Sequence, residues 1–151
     1  MTLKRTVGIL LFNEVEVLDF AGPFEVFSLA ENAASSSDDK HFKVITIAEN
    51  QASLVDLTLS VCTGALLLAK ASLLTGKSAT THWMDLDNLA SYPDIDVISH
   101  TRFVDASDDT CNIITSAGIS AGIHASLYCI EKLIDSETMR ATAHRMEFDI
   151  D

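Results

Sequence analysis

Cys62 stands at the junction of two segments whose compositions predict different structures. The segment 57–61 before it is apolar and β-leaning, whereas Thr63-Gly64-Ala65 and the leucines that follow favour a sharp turn into a helix. A thiol at such a nucleophile elbow lies beside free N–H groups at a helix N-terminus, which stabilise a thiolate. The alternative is a small buried residue that only packs, because most buried cysteines are inert.

Two further polar side chains follow predicted strands and are candidates to meet this thiol. Asp19 comes after the first strand, and His82 follows a short extended segment at 78–81. Sites in open α/β sheets form beyond the carboxyl ends of strands, where a carboxyl or an imidazole could exchange a proton with a thiol. The structural alternatives are that Asp19 is a helix N-cap and that His82 stacks on Trp83.

Alternating strands and helices are predicted around these residues. Strands are expected at 6–12, 42–47, 57–62, 78–81, 96–99, 102–105 and 112–117, and helices at 23–30, 65–74, 84–91, 121–134 and 137–146. Pro23 is placed in the first turn of its helix, and Gly76 as the left-handed cap that ends helix 65–74. The alternation predicts an α/β fold with a mostly parallel sheet.

The composition excludes several classes of function. A length of 151 residues with 48% hydrophobic and 21% charged residues indicates one globular domain. The net charge of -12 argues against a nucleic-acid or an anionic membrane surface, and no apolar stretch reaches the ~20 residues of a membrane span. Three widely spaced cysteines without a targeting segment indicate free thiols in a reducing cytoplasm.

Several motifs together resemble the ThiJ/PfpI superfamily, which shares a flavodoxin-like three-layer sandwich with class I glutamine amidotransferases. The segments that carry the resemblance are 7–12, 18–27, 60–65, 76–77, 80–83, 102–105 and 114–123. They match a branch that contains isonitrile hydratases and the sensor domains of AraC-type regulators. The likeness extends over nearly the whole chain.

The resemblance implies a chemistry. Cys62 falls on the nucleophile of the family, and Asp19 falls on an acid that bonds to its thiol. An aspartate together with Thr63 after the cysteine matches isonitrile hydratases, whereas protease-like members carry a histidine there. The implied reaction is attack of the thiolate on the terminal carbon of an isocyanide, followed by hydrolysis to an N-substituted formamide. No metal and no organic cofactor are required.

The resemblance also implies binding residues and partners. The residues expected to line the pocket are His82, Gly64, Gly118 and Ser120. Members of the superfamily are commonly homodimers, so a cytoplasmic homodimer that takes a small-molecule substrate is expected, with no nucleic acid and no membrane as partner.

One stretch departs from the family pattern. Members of the branch have a longer segment between the strand at Val44 and the cysteine strand, and it carries a Gly-Gly loop whose N–H groups face the nucleophile. This chain passes almost directly from one strand to the other and contains no Gly-Gly pair, which indicates an internal deletion near 50–54. A single domain over 1–151 with this deletion is expected.

Three functions follow from the resemblance. The first is an isonitrile-hydratase-like enzyme, which the combination of Asp19, Cys62 and Thr63 favours. The second is the ligand-sensing domain of a transcription regulator, although such regulators carry a helix-turn-helix region after the final helix. The third is a stress-protective or redox protein, whose members usually carry a glutamate where Asp19 stands.

Overall fold

The computed structural model describes residues 5–10, 16–30, 41–47 and 57–150, which divide into two compact units. The first unit comprises the chain up to Val55 and again from Ser126, and the second comprises Asp56–Ala125. Both mix strands with helices, and three of the four strand pairings in the described ranges are parallel. No helix in these ranges has the length and apolar character needed to cross a membrane.

The first unit contains a parallel strand pair and the helices that cover it. Strand β1 (Arg5–Leu10) runs beside β2 (Phe42–Ile47) in one unbroken register. Helix α1 (Val17–Leu29) lies between them in the chain, and a late helix of the chain, Ser136–Arg145, contacts it. Phe27 of α1 meets Phe42 edge to face at 5.1 Å, so the helix packs directly on the second strand.

Helix α1 begins earlier than the sequence predicted. Pro23 was expected in the first turn, and Asp19 was considered as an N-cap, but α1 starts at Val17 with Glu16 at the N-cap position. Asp19 therefore lies inside the first turn and Pro23 in the helix interior. An interior proline costs about 3 kcal/mol. Burial of Pro23 together with Val26 offsets this cost, so packing overrides the local preference.

The second unit contains five short strands in two groups. Strand β3 (Thr58–Val61) pairs in parallel with β7 (Ile113–Ser116), and β6 (Phe103–Asp105) pairs antiparallel on the other side of β7. Strand β4 (Lys77–Ala79) pairs in parallel with β5 (Ile95–Val97). All four residues of β7 are buried, which fits its central place in the three-stranded sheet.

Four helical segments connect these strands or follow them. They are α2 (Gly64–Lys70), a single 3-10 turn (Trp83–Asp85), α3 (Leu86–Ala90) and α4 (Ser120–Leu133), and the Ser136–Arg145 helix is α5. The core of the unit is aliphatic. Its buried residues are Ala65, Ala69, Leu74, Ala79, Leu89, Ala106 and Ile113.

The end of α2 also differs from the prediction. The helix was expected to continue to residue 74 with Gly76 as its left-handed cap, but it ends at Lys70. Ser72 takes the left-handed conformation (φ 61°), and the N–H of Leu73 donates to the carbonyl of Leu68 at 3.0 Å. This is a Schellman cap formed without glycine. Gly76 also has a positive φ of 74°, but it belongs to the following turn.

Helix α4 passes very close to the end of β3, and a glycine makes this approach possible. A methyl group added at Gly122 would lie only 2.8 Å from Cγ1 of Val61, the residue before Cys62. Because Val61 is β-branched and stiff, its side chain cannot rotate away at low cost. Gly122 is therefore required by the distance between helix and strand.

We expect Gly122→Ala to lower the free energy of unfolding by about 1–2 kcal/mol, because overpacking outweighs the higher helix propensity of alanine. Urea unfolding measures the change. The same substitution in a Val61→Ala background removes the colliding methyl groups and should become neutral or stabilising. An equal cost in both backgrounds would contradict the close approach.

Candidate functional site

Cys62 occupies a sharp turn between β3 and α2. Its φ of 56° lies in the left-handed region, which is strained for a residue with a side chain. Hydrogen bonds hold the backbone on both sides of it: the N–H of Cys62 donates to the carbonyl of Ser116 at 3.0 Å, and the Cys62 carbonyl accepts from Thr81 Oγ1 at 2.9 Å. The chain thus has the strand–cysteine–helix geometry that the sequence predicted.

The two residues after the thiol have different roles in this turn. Thr63 is exposed at the N-cap position of α2, and its carbonyl accepts from the N–H of Leu66 at 3.0 Å, while its side chain forms no cap. A methyl group at Gly64 would lie 3.0 Å from Oγ of Ser60. Gly64 therefore lets the first turn of α2 pack on β3, while Thr63 presents its hydroxyl at the surface beside Cys62.

Three strand ends meet around the thiol. Cys62 follows β3, His82 lies shortly after β4, and Gly118 follows β7. A methyl group at Gly118 would lie 3.4 Å from Sγ of Cys62 and 3.2 Å from Cδ2 of His82. Gly118 also has a φ of 124°, which disfavours any side chain. The structure thus brings together three of the residues that the sequence singled out.

His82 caps the short 3-10 turn that follows it. Its Nδ1 accepts from the N–H of Met84 at 3.5 Å and caps the 3-10 turn. Its ring centre lies 5.7 Å from that of Trp83 at a tilt of 42°, so the two rings touch without stacking. His82 is therefore a structural cap, and the Gly118 turn lies next to both its ring and the Cys62 side chain.

Buried hydroxyl groups support the elbow, and the sequence analysis did not single them out. Thr81 binds the Cys62 carbonyl, and the N–H of Thr80 donates to Oγ1 of Thr115 at 2.9 Å. Ser116 Oγ donates to the carbonyl of Ser60 at 3.2 Å. Loss of a buried partner of this kind costs about 1–3 kcal/mol. The run Thr80-Thr81 at the end of the predicted strand 78–81 was the signal that could have indicated them.

A polar cluster lies at the start of α4, where the sequence placed Ser120 in the binding site. Arg102 Nε donates to Nδ1 of His124 at 3.1 Å, and Arg102 Nη2 donates to Oγ of Ser120 at 3.2 Å. The ring of Phe103 meets His124 edge to face at 5.7 Å. Burial, together with the positive charge of Arg102, holds the pKa of His124 below its ordinary value of 6.5.

A second partly buried thiol, Cys111, lies in a different environment. Its Sγ lies 3.7 Å from Oδ1 of Asp108, and the Asp108 carboxylate is paired with Lys77. The hydrogen bond from Lys77 and those from Thr110 hold the pKa of the Asp108 carboxyl well below its usual range. Cys111 precedes β7 and does not follow any of the three strand ends around Cys62. It is therefore a suitable internal reference for the reactivity of the Cys62 thiol.

Two predictions about the site stay predictions. Asp19 is the third residue of α1, in the first unit, and its side chain is partly buried. Its role as the acid partner of Cys62 stays a prediction. The deletion expected near 50–54 lies outside the described residues. Among the residues that the structure does describe, no group of three or more His, Cys, Asp and Glu side chains could hold a metal ion.

We expect Gly118→Ala to slow alkylation of Cys62 about tenfold or more, because the added methyl group lies against Sγ and against the His82 ring. Gly76→Ala is the matched control, since it also places alanine at a positive φ but in open space. Peptide mass spectrometry after timed reaction with iodoacetamide measures the rate. Equal slowing in both variants would show that backbone strain, and not contact with the thiol, is responsible.

We expect Arg102→Met to raise the pKa of His124 toward 6.5 without reaching it, since burial, the larger cause, remains. NMR titration of the imidazole measures this shift, and Arg140→Met, at an exposed position of α5, is the control. Because His124 binds its proton more weakly when folded, its contribution to stability is complete above pH 6.5 and is lost as the pH falls through the lower folded pKa. An unchanged pKa would contradict the contact.

Comparison with known proteins places this geometry in a family. The model of the DJ-1/PfpI family matches residues 32–132. The isonitrile hydratase of Pseudomonas putida is 28% identical over 183 aligned positions, which cover 94% of this chain and 78% of that protein. The alignment is longer than the 151 residues of this chain, so the relative has positions without a counterpart here.

Solved structures show the same fold at lower identity. Drosophila melanogaster DJ-1beta superposes with a TM-score of 0.77 at 15% identity, over 97% of this chain and all of that one. An AraC family transcriptional regulator from Pseudomonas putida gives 0.75 at 12% identity, over 94% of this chain and 99% of that one. These likenesses confirm the predicted flavodoxin-like α/β fold. Since the family model matches more than half of the residues of this chain, the chain belongs to the DJ-1/PfpI (ThiJ/PfpI) family.

Proposed function

We propose that the chain is a cysteine-dependent isonitrile hydratase that converts an isocyanide to an N-substituted formamide. The observation that carries the proposal is the left-handed Cys62 elbow, with the Gly118 turn lying next to both the Cys62 side chain and the His82 ring. The elbow alone suits several reactions of a thiol nucleophile. The likeness to an isonitrile hydratase, together with Asp19 and Thr63, favours hydration of an isocyanide among them.

The proposed reaction has two steps. The Cys62 thiolate attacks the terminal carbon of the isocyanide, and the thiol proton passes through Asp19 to that carbon, which gives a thioimidate. Water then adds to the same carbon, and the carbon–sulfur bond breaks. The products are the N-substituted formamide and the free thiol, so one water is consumed and no oxidant or reductant is needed.

The remaining site residues receive supporting roles in this proposal. Thr63 is exposed next to Cys62 and offers a hydroxyl to the substrate nitrogen. His82 and Gly118 border the space around Sγ, so they limit how the substrate approaches. Gly64 and Ser120 act at one remove, Gly64 through the packing of α2 on β3 and Ser120 through its contact with Arg102.

A ligand-sensing role is the second candidate. The fold likeness to an AraC family regulator, with a TM-score of 0.75, favours it, although 12% identity supports the fold alone. In that case Cys62 would bind a small molecule without turnover.

A stress-protective or redox role is the third candidate, and the fold likeness to DJ-1beta favours it. This role would require reversible oxidation of Cys62. A homodimer remains part of the proposal for each candidate.

We expect wild-type protein to convert cyclohexyl isocyanide to its formamide, measured by NMR. Cys62→Ser should abolish turnover, and Asp19→Asn should lower it about 10²-fold or more, because the proton transfer is lost. Cys111→Ser is the matched control and should keep full activity, since that thiol lies beside Asp108, away from the elbow. Turnover that survives in Cys62→Ser would exclude the mechanism.

If the wild-type protein forms no formamide, two further measurements distinguish the remaining candidates. Calorimetric binding of the isocyanide to wild type without product would favour the sensing role. Reversible loss of the free Cys62 thiol on treatment with peroxide would favour the redox role. Either outcome, with no formamide formed, would refute the hydratase proposal.

A further inference from the structure

We propose that Arg102 is a positioning residue that holds the Gly118 turn against the Cys62 thiol. Arg102 precedes β6, and it is forty residues distant from Cys62 in the chain. It acts on the turn 117–120, which connects β7 to α4 and contains Gly118. Arg102 would maintain the geometry of the site in the same way whichever reaction Cys62 performs.

The position of this turn determines how much space surrounds the thiol. The point where a Gly118 side chain would begin lies 3.4 Å from both Cβ and Sγ of Cys62 and 3.2 Å from the His82 ring. The backbone of the turn therefore passes close to the Cys62 side chain. A shift of about 1 Å in such a contact is enough to change the rate of a reaction at that atom by as much as 10²-fold.

Arg102 forms hydrogen bonds with the chain on both sides of Gly118. Before it, the N–H of Ala117 donates to the carbonyl of Arg102 at 2.9 Å. After it, the guanidinium donates from Nη2 to Oγ of Ser120 and from Nε to Nδ1 of His124, one helical turn further along α4. One residue thus fixes the backbone that enters the turn and the helix that leaves it.

The guanidinium is suited to this task in a way that other side chains are not. Its planar fork presents donors in fixed relative directions, which lets one group reach a hydroxyl and a ring nitrogen together. Phe103 packs edge to face on His124 at 5.7 Å and holds the ring that receives Nε. A lysine would keep the charge but would offer one donor position in place of two.

The turn requires stabilising contacts from residues outside it because its own backbone is strained. Gly118 has a φ of 124°, and Ile119 has a φ of 20°, which is unfavourable for a β-branched residue. Conformations of this kind persist only where surrounding contacts enforce them. The Arg102 side chain contacts Ser120, directly after these two residues, and His124, one helical turn later, and these contacts supply such support.

The test compares Arg102→Ala with wild type by the alkylation rates of individual cysteines. We expect Cys62 to react with iodoacetamide about tenfold faster, because loss of two hydrogen bonds lets the turn open from Sγ. Cys111, which is partly buried elsewhere, and Cys129, which is fully buried on α4, should react at unchanged rates. Arg140→Ala is the control for removal of an exposed arginine.

Chemical rescue separates positioning from general stability. Ethylguanidinium, added well below denaturing concentrations, should slow Cys62 in Arg102→Ala back toward the wild-type rate and leave Arg140→Ala unaffected. Ser120→Ala removes only one of the two side-chain contacts and should show an intermediate rate. It also keeps the proposal testable if Arg102→Ala does not fold. An unchanged Cys62 rate, acceleration shared by Cys129, or failure of rescue would overturn the proposal.

A kinetic consequence rests on the proposed function. If the wild type hydrates isocyanides, Arg102→Ala should lower kcat about tenfold while KM changes less, because the turn positions the reacting thiol. An unaltered kcat would then count against the positioning role. If the wild type shows no turnover, the hydratase proposal fails, and the alkylation comparison still decides the role of Arg102.

Discussion

The left-handed backbone of Cys62 is the constraint on which the rest of the second unit depends. A residue with a side chain keeps a φ of 56° only where its neighbours enforce it, and here they bind both of its peptide groups. Ser116 accepts from the Cys62 N–H, and Thr81 donates to the Cys62 carbonyl. Ser116 is the last residue of β7, and Thr81 lies two residues after the end of β4. The elbow therefore connects the ends of two strands, β7 and β4, that do not pair with each other.

Short side chains are the second requirement of this arrangement. Gly64, Gly118 and Gly122 each lie where an added methyl group would come within 3.4 Å of Ser60, Cys62 or Val61. The strand with the thiol is therefore approached closely by α2, by the β7–α4 turn and by α4. In the same region the buried hydroxyls of Thr81, Thr115 and Ser116 form hydrogen bonds with backbone groups.

The sequence allowed most elements to be predicted, because their signals are local. Apolar runs of strand length and the amphipathic segments 121–134 and 137–146 correspond to observed strands and to α4 and α5 within a few residues. The two errors have non-local causes. Pro23 lies inside α1 because tertiary burial offsets its cost, and α2 ends at Lys70 because Ser72 accepts the left-handed cap that was assigned to Gly76.

For the site, the sequence by itself determined which chemistry is available: a thiol after a strand, a histidine after another, and a glycine-containing turn after a third. Tertiary structure alone decided that Gly118 lies next to both Cys62 and His82, and that Arg102 reaches Ser120 and His124. The physical reason is that strand alternation and turn chemistry act over a few residues. The meeting of these side chains depends instead on the pairing of β3 with β7, whose residues are more than fifty positions apart.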